Sequence, residues 1–276
     1  MTINCKGKLI DLSTPKVMGI LNITPDSFFD GGKHAHEKDI LKHVEQMLVE
    51  GATFIDVGTY SSRPNAKVVT EDEELSRIIG PLVKIIKYFP EATISIDTFR
   101  SRVALECLEL GAAIINDISG GAREPDLLDV VAKYKAPYIL MHMRGTAQNM
   151  VQKTDYENVT RDVLKSLSEK VVAAKAKKIN DIIIDPGFGF AKTLEQNYEL
   201  LNHLELFKSF DLPLLVGVSR KSMIYRLLDI TANEALNATT ALNTVALMKD
   251  ANIIRVHDVK EAVEATKLVA QLKKCS

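Results

Sequence analysis

Short apolar runs recur along the chain, each ending near a polar residue and followed by a longer stretch of helical period. The runs cover residues 16–22, 53–57, 93–97, 112–116, 137–142, 182–185, 212–218 and 252–256. They are short and several are rich in valine and isoleucine, as buried strands are. In the segments that follow, apolar positions fall three and four apart. Ile40, Val44, Met47 and Leu48 share one face of a predicted helix, and Leu75, Ile78, Ile79, Leu82, Val83 and Ile86 share that of another. Further helices are predicted over about 101–110, between Tyr156 and Lys178, up to about Met248, and along a last segment with Val263, Thr266, Val269 and Ala270. Thr70 with Glu73, Thr193 with Gln196 and Thr231 with Glu234 have capping-box spacing at three helix starts. Residues 3–11 read as a hairpin with Lys6-Gly7 at its turn.

Eight strands, each followed by a helix, predict a single α/β domain over residues 1–276: a TIM (β/α)8 barrel with a short N-terminal β-hairpin. The strands recur every roughly 20–45 residues, and the length is near the ~250 residues usual for this barrel. No GxGxxG follows the first strand, which argues against an open doubly wound sheet. No linker-like composition divides the chain.

The stretch Ile182-Ile183-Ile184-Asp185-Pro186-Gly187-Phe188-Gly189-Phe190 places a carboxylate where a rigid strand meets a Gly-rich turn. Taken alone, an aspartate there can be no more than a turn former. The arrangement recurs, however. In a barrel of this kind the active site lies at the carboxyl ends of the strands. Those ends carry Asn22, Asp97, Asn116, His142, Asp185, Lys221, Arg255 and His257. The amides and carboxylates suit a flat heterocycle edged with N–H, N and C=O groups. Lys221, Arg255, His257 and Arg63 suit a phosphate or carboxylate. A lysine in the first turn of a helix opposes the helix dipole, so Lys221 needs another reason to be there. His142 reads as a core histidine among Leu140, Met141 and Met143. Asn22 and Asp26 are candidates for Mg²⁺ held together with a diphosphate.

A formal net charge of −1 provides no global field for nucleic acid or an anionic membrane, so any anion site must be local. No apolar run reaches the ~20 residues of a membrane span, and the N-terminus lacks a signal-peptide core. Cys5, Cys107 and Cys275 are odd in number and widely spaced, which points to reduced thiols in a cytoplasmic protein. HExxH, GxSxG, a P-loop and a Cys/His cluster are all absent, which excludes the zinc hydrolases and P-loop kinases that carry them.

With these residues in view, the chain resembles the dihydropteroate synthase family from about residue 16 to 260. The ordered motifs are Gly19-Ile20-Leu21-Asn22-Ile23-Thr24-Pro25-Asp26-Ser27-Phe28, Ser62-Arg63-Pro64, Ser95-Ile96-Asp97-Thr98, Ile115-Asn116-Asp117, Asp185-Pro186-Gly187-Phe188-Gly189-Phe190, Ser219-Arg220-Lys221-Ser222 and Arg255-Val256-His257-Asp258. The resemblance implies condensation of a dihydropterin methyl diphosphate with 4-aminobenzoate, giving 7,8-dihydropteroate and diphosphate. It implies that Asp97, Asn116, Asp185, Lys221 and Arg255 bind the pterin. Asn22, Arg63, Arg255 and His257 would meet the diphosphate, with Asn22 also a ligand of the Mg²⁺ cofactor. Phe28, Ser62, Arg63, Pro64, Phe190 and Ser219 would form the aminobenzoate pocket. Asp97, Lys221, Arg63, Arg255 and His257 would carry the catalysis. A homodimer is implied as well. The alternative is a methyltetrahydrofolate–corrinoid methyltransferase, which shares a pterin-binding barrel. One departure stands out. The family's second loop commonly reads Gly-Glu-Ser-Thr-Arg-Pro-Gly, whereas Thr59-Tyr60-Ser61-Ser62-Arg63-Pro64-Asn65 stands here, replacing two glycines, the glutamate and the threonine and keeping a hydroxyl at Ser62 and the charge at Arg63.

Overall fold

The computed structural model describes residues 1–23, 32–60 and 69–275, and the backbone alone over 32–36. The chain opens with a hairpin of β1 (Thr2–Cys5) and β2 (Lys8–Asp11). It continues through β3 (Lys16–Asn22), α1 (Gly32–Val49), β4 (Phe54–Gly58), α2 (Glu71–Tyr88), β5 (Thr93–Asp97), α3 (Ser101–Leu110), β6 (Ile114–Asp117) and α4 (Asp126–Tyr134). Then come β7 (Tyr138–Met141), α5 (Val159–Ala176), β8 (Ile182–Asp185), α6 (Leu194–Asn202), β9 (Leu215–Val216), α7 (Ser222–Leu228), α8 (Leu236–Met248), β10 (Ile253–Val256) and α9 (Val259–Lys273).

β3 to β10 form one parallel sheet in the order β8-β7-β6-β5-β4-β3-β10-β9. A parallel bridge between Ile184 and Leu214, with the Ile184 N–H donating to the Pro213 carbonyl at 2.9 Å, joins its two ends and closes the barrel. The sequence expectation of a (β/α)8 barrel with an N-terminal hairpin therefore holds. Four local expectations need correction. The seventh strand, expected over 212–218, shrinks to β9, because the Asn252 side chain takes the Leu214 N–H at 2.9 Å in place of a strand carbonyl. The fourth strand lies slightly later than expected, at Ile114–Asp117. Thr231 and Glu234 close a turn on each other, and α8 starts only at Leu236. Thr70 caps α2 through the Glu73 N–H, yet the Glu73 carboxylate pairs with Arg77 one turn on. The Thr193–Gln196 box forms in full.

The hairpin seals one mouth of the barrel. Its Lys6 (φ 54°) and Gly7 (φ 87°) make the tight turn in left-handed conformations. Ile3, Ile10 and Leu12 pack on Met18, Phe54, Ile114, Ile139, Ile183, Leu215 and Ile253, an apolar layer drawn from the barrel strands. Fully burying an aliphatic side chain of this size stabilises by about 1.5–3 kcal/mol, so this layer closes the amino-terminal end firmly. Apolar side chains of alternate strand residues meet the surrounding helices in a second, larger core. Among the described residues no helix is long and apolar enough to cross a membrane.

Candidate active site

Strand alternation builds the site. Phe54, Ile114, Ile183 and Ile253 point into the sealed apolar layer. Two residues further along the same strands, the same inward face carries Asp56, Asn116, Asp185 and Arg255. A polar layer thus rests on an apolar floor, open only towards the carboxyl ends of the strands.

Asp56, fully buried, is the hub. Its Oδ2 accepts from Arg255 Nε at 2.6 Å and from Asn116 Nδ2 at 2.9 Å. The other arm of the Arg255 guanidinium donates from Nη2 to Asp97 Oδ2 at 3.0 Å. Asp56 Oδ1 is buried and makes no hydrogen bond among the described residues. An acceptor so placed fits a ligand that brings its own N–H donors. Burial raises the Asp97 carboxyl to about 7, against the pull of Arg255 and with the push of Asp56.

On the opposite side of the barrel, Asp185 Oδ1 accepts from the Gly187 N–H at 2.7 Å. Burial raises the Asp185 carboxyl, and Lys221 opposes that shift. Lys221 is the residue just before α7, in extended backbone, and not in the first helical turn as the sequence suggested. Its Nζ donates to the Phe188 carbonyl at 2.6 Å and stands 4.8 Å from the centre of the Phe190 ring. Burial brings this ammonium down to about 8. Phe190 is itself buried in a small apolar cluster with Ile118, Met141 and Met150.

The turn between Asp185 and Phe190 is held from below by Lys192, which sequence reasoning missed. Its Nζ donates to the Gly187 carbonyl at 2.8 Å and the Phe190 carbonyl at 3.1 Å, and lies 3.1 Å from His142 Nδ1. Burial lowers Lys192 to about 7; burial and the Lys192 charge lower His142 to about 2. Burial and the cations around it keep His142 uncharged, in the interior position that its sequence context suggested. Gly187 (φ 70°) must stay glycine, since a Cβ would come within 2.0 Å of the His142 carbonyl oxygen. Replacing Lys192 with methionine strands buried acceptors, so we expect a loss of roughly 1–3 kcal/mol in folding free energy. Urea denaturation checks this; an unchanged midpoint would mean that the turn holds itself.

His257 and Ser219 meet at the rim, with Ser219 Oγ 3.0 Å from His257 Nδ1 and accepting the His257 N–H at 3.2 Å. Next to them, Arg220 (φ 52°) forks onto Asp258 with two bonds of 2.8 Å, and so ties the Lys221 loop to the His257 loop. Asp117, in the Ile115-Asn116-Asp117 motif, is a staple: it accepts from Ser119 N, Gly121 N and Tyr138 Oη at 2.6–2.7 Å. Asn22 stands exposed at the end of β3. Phe28, Ser62, Arg63 and Pro64, with Asp26, lie outside the described residues.

The structure thus gathers Asp97, Asn116, Asp185, Lys221 and Arg255 at one mouth, with Ser219 and His257 at its edge. Sequence reasoning passed over Asp56 and Lys192. Asp56 had a signal, since a carboxylate in the run Phe54-Ile55-Asp56-Val57 falls on the inward face by alternation. Nothing local marks Lys192. Opposed acceptors and donors on a floor of this kind suit a flat nitrogen heterocycle, and the cations beside it suit an anionic group on that ring.

The sequence profile of the family described as "Pterin binding enzyme" matches residues 18–257. A relative named dihydropteroate synthase from Escherichia coli (strain K12) is 45% identical over 271 residues, covering 98% of this chain and 95% of its own. Another of that name, from Clostridium beijerinckii, is 44% identical over 91% of this chain and 92% of its own. Among solved structures, a Yersinia pestis dihydropteroate synthase in complex with a sulfonamide drug superposes with a TM-score of 0.93 at 42% identity, covering 99% of this chain and 100% of that one. A Xanthomonas albilineans dihydropteroate synthase in complex with 7,8-dihydropteroate gives 0.89 at 33% identity, covering 99% of each chain. The chain belongs to the dihydropteroate synthase family of pterin-binding enzymes.

Proposed function

We propose that this chain condenses (7,8-dihydropterin-6-yl)methyl diphosphate with 4-aminobenzoate, giving 7,8-dihydropteroate and diphosphate. The observation that carries this reading is the polar layer of Asp56, Asp97, Asn116, Asp185 and Arg255 on a sealed apolar floor, flanked by Lys221 and His257. The carboxylates accept from the N–H edge of the pterin, and Asn116 offers an amide to the same ring. The dihydropterin donates electrons into its methylene carbon, so the carbon–oxygen bond to diphosphate breaks first. Asp97 and Asp185 then stabilise the cationic ring, while Arg255, His257 and Arg63 receive the departing charge. The uncharged aniline nitrogen forms the new carbon–nitrogen bond and releases its proton to solvent or to the diphosphate. No protein nucleophile is needed. Phe28, Ser62, Arg63, Pro64, Phe190 and Ser219 are assigned to the aminobenzoate side.

Asn22 fits a Mg²⁺ ligand: a lone exposed amide oxygen at the mouth suits an ion that takes most of its ligands from phosphate and water. Among the described residues no group of three acidic, His or Cys side chains could hold a metal without the substrate. Magnesium supplies charge neutralisation on the diphosphate when bound. The proposal keeps the homodimer that the family implies, which sedimentation equilibrium tests. It also keeps a cytoplasmic setting, consistent with buried Cys5 and Cys107, whose thiols burial raises to about 12.

Incubation with the two substrates and Mg²⁺, with mass detection of dihydropteroate, tests the activity. A product formed without cobalamin separates it from the corrinoid methyltransferases; no product under any condition would overturn it. Within this reading, Lys221→Met should weaken dihydropterin binding about tenfold or more while melting near the wild type. Lys221 donates to one carbonyl, on a residue that Lys192 already brackets. Calorimetry and a thermal melt check both halves, and a large fall in melting temperature would make Lys221 a structural residue.

A further inference from the structure

We propose that Tyr60 is a positioning residue for the reaction, its hydroxyl holding the Asp97 carboxylate in the orientation that receives the dihydropterin ring. This rests on the pterin reading given above. Tyr60 lies two residues past the end of β4, and its Oη donates to Asp97 Oδ1 at 3.4 Å. Arg255 Nη2 donates to the other oxygen, Oδ2, at 3.0 Å. With a different donor on each oxygen, rotation of the carboxylate is restrained, and its remaining lone pairs are left for the substrate.

The phenol ring is itself fixed. It meets Phe99 edge to face, with ring centres 5.7 Å apart and planes at 80°. The Arg123 guanidinium lies 4.1 Å from the centre of the Phe99 ring and that of Arg100 4.9 Å, and Arg100 is in turn tied to Glu74. Tyr60 and Phe99 both pack against the cluster of Ile118, Met141 and Phe190. Aromatic pairs in this geometry contribute beyond simple burial. The hydroxyl is therefore aimed by packing and does not depend on Asp97 for its place.

Burial, and then the negative charge of Asp97, raise the phenol well above its usual value, so it remains a donor wherever Asp97 titrates. The groups facing this pair are Asp56 on β4, Glu74 on α2, Asp117 on β6, Arg255 on β10, Lys221 before α7 and Arg123 before α4. Of these, Asp56 and Glu74 oppose ionisation of Asp97 and Arg255 favours it. A hydroxyl donor favours the ionised form.

The test is the pH profile of kcat/KM for the dihydropterin diphosphate in wild type and Tyr60→Phe, at saturating 4-aminobenzoate. Phenylalanine keeps the ring and its packing and removes only the donor. Without it the folded-state value for Asp97 rises, so the ionised form is lost at higher pH. The acid limb should move up by about 0.5–1 pH unit, a roughly 3–10-fold loss below the limb. Well above the limb a smaller loss in kcat/KM for the dihydropterin diphosphate should remain, because the ionised carboxylate is no longer held on both oxygens, and the KM for 4-aminobenzoate should not move. An unmoved acid limb overturns the proposal. So does an equal loss at every pH, which would leave Tyr60 a packing residue. A wild type that forms no dihydropteroate would instead overturn the functional reading on which this one rests.

Discussion

Asp185→Asn is expected to leave the barrel folded and to weaken dihydropterin binding about 10–100-fold. The fold survives because the asparagine oxygen can still accept the Gly187 N–H, now made at 2.7 Å. Burial raises the Asp185 carboxyl, which means that the ionised side chain costs the folded state stability. The folded-state value lies above the unfolded one, so this cost is present at neutral pH and shrinks as pH falls through the folded value. An amide removes that cost but also the negative charge beside Lys221 and Lys192, so the melting temperature should stay close to that of the wild type. Binding behaves differently. A carboxylate can accept two N–H groups from the edge of the ring with full charge, whereas an amide accepts with one neutral oxygen and presents an NH₂ where a donor already stands. Hydrogen bonds to a charged group are worth roughly 1.5–3 kcal/mol, which sets the expected range. Calorimetry on the folded variant decides: wild-type affinity would reduce Asp185 to a turn residue.

Arg255→Met should be the most damaging single change in the site, for stability as well as turnover. Arg255 separates two carboxylates, donating to Asp56 at 2.6 Å and to Asp97 at 3.0 Å. Asp56 is fully buried, and the Asp97 side chain is 13% exposed. Removing the cation leaves two like charges facing each other without water to screen them. Loss of one partner from a buried ion pair typically costs about 3–5 kcal/mol. The sign of the pH dependence follows. Asp97 already lies above its unfolded value, at about 7, because of burial, and loss of Arg255 takes it higher. The variant's folded state then binds more protons than its unfolded state, so stability rises as pH falls from the folded value towards about 4. The deficit should be largest near pH 8 and smaller near pH 5.5. Urea denaturation of both proteins at the two pH values tests this. A deficit that is the same at both would mean that the carboxylates do not repel, and that Arg255 acts through packing alone.

Much of this protein could be read from local pattern. Apolar runs such as Ile182-Ile183-Ile184, alternating with segments of 3.6-residue period, determined a parallel barrel, since short buried strands linked by helices have few other ways to bury both faces. The polar residues at strand ends marked the working mouth, because the barrel's topology places every such end on one rim. Capping was legible where both partners are local, as with Thr193 and Gln196. It failed at Glu73, whose carboxylate Arg77 takes, and at Thr231, whose box closes a turn ahead of the helix.

Only the tertiary structure decided which polar residues meet. Arg255 lies 199 residues from Asp56 and 158 from Asp97, and closure of the sheet through β3 and β10 brings them together. Alternation states that each points inward; it does not state that one guanidinium bridges both carboxylates. Lys192 shows the same limit: on the sequence it is a lysine before a helix cap, and in the fold its charge is buried under the turn that carries Phe188 and Phe190. A long side chain reaches across several ångströms in directions set by packing, whereas strand and helix periods are set by the backbone alone. The chain sequence therefore determined the barrel, its open mouth and the chemical types on its rim. The pairing of charges within that mouth, and so the affinity and titration of the site, belongs to the closed barrel.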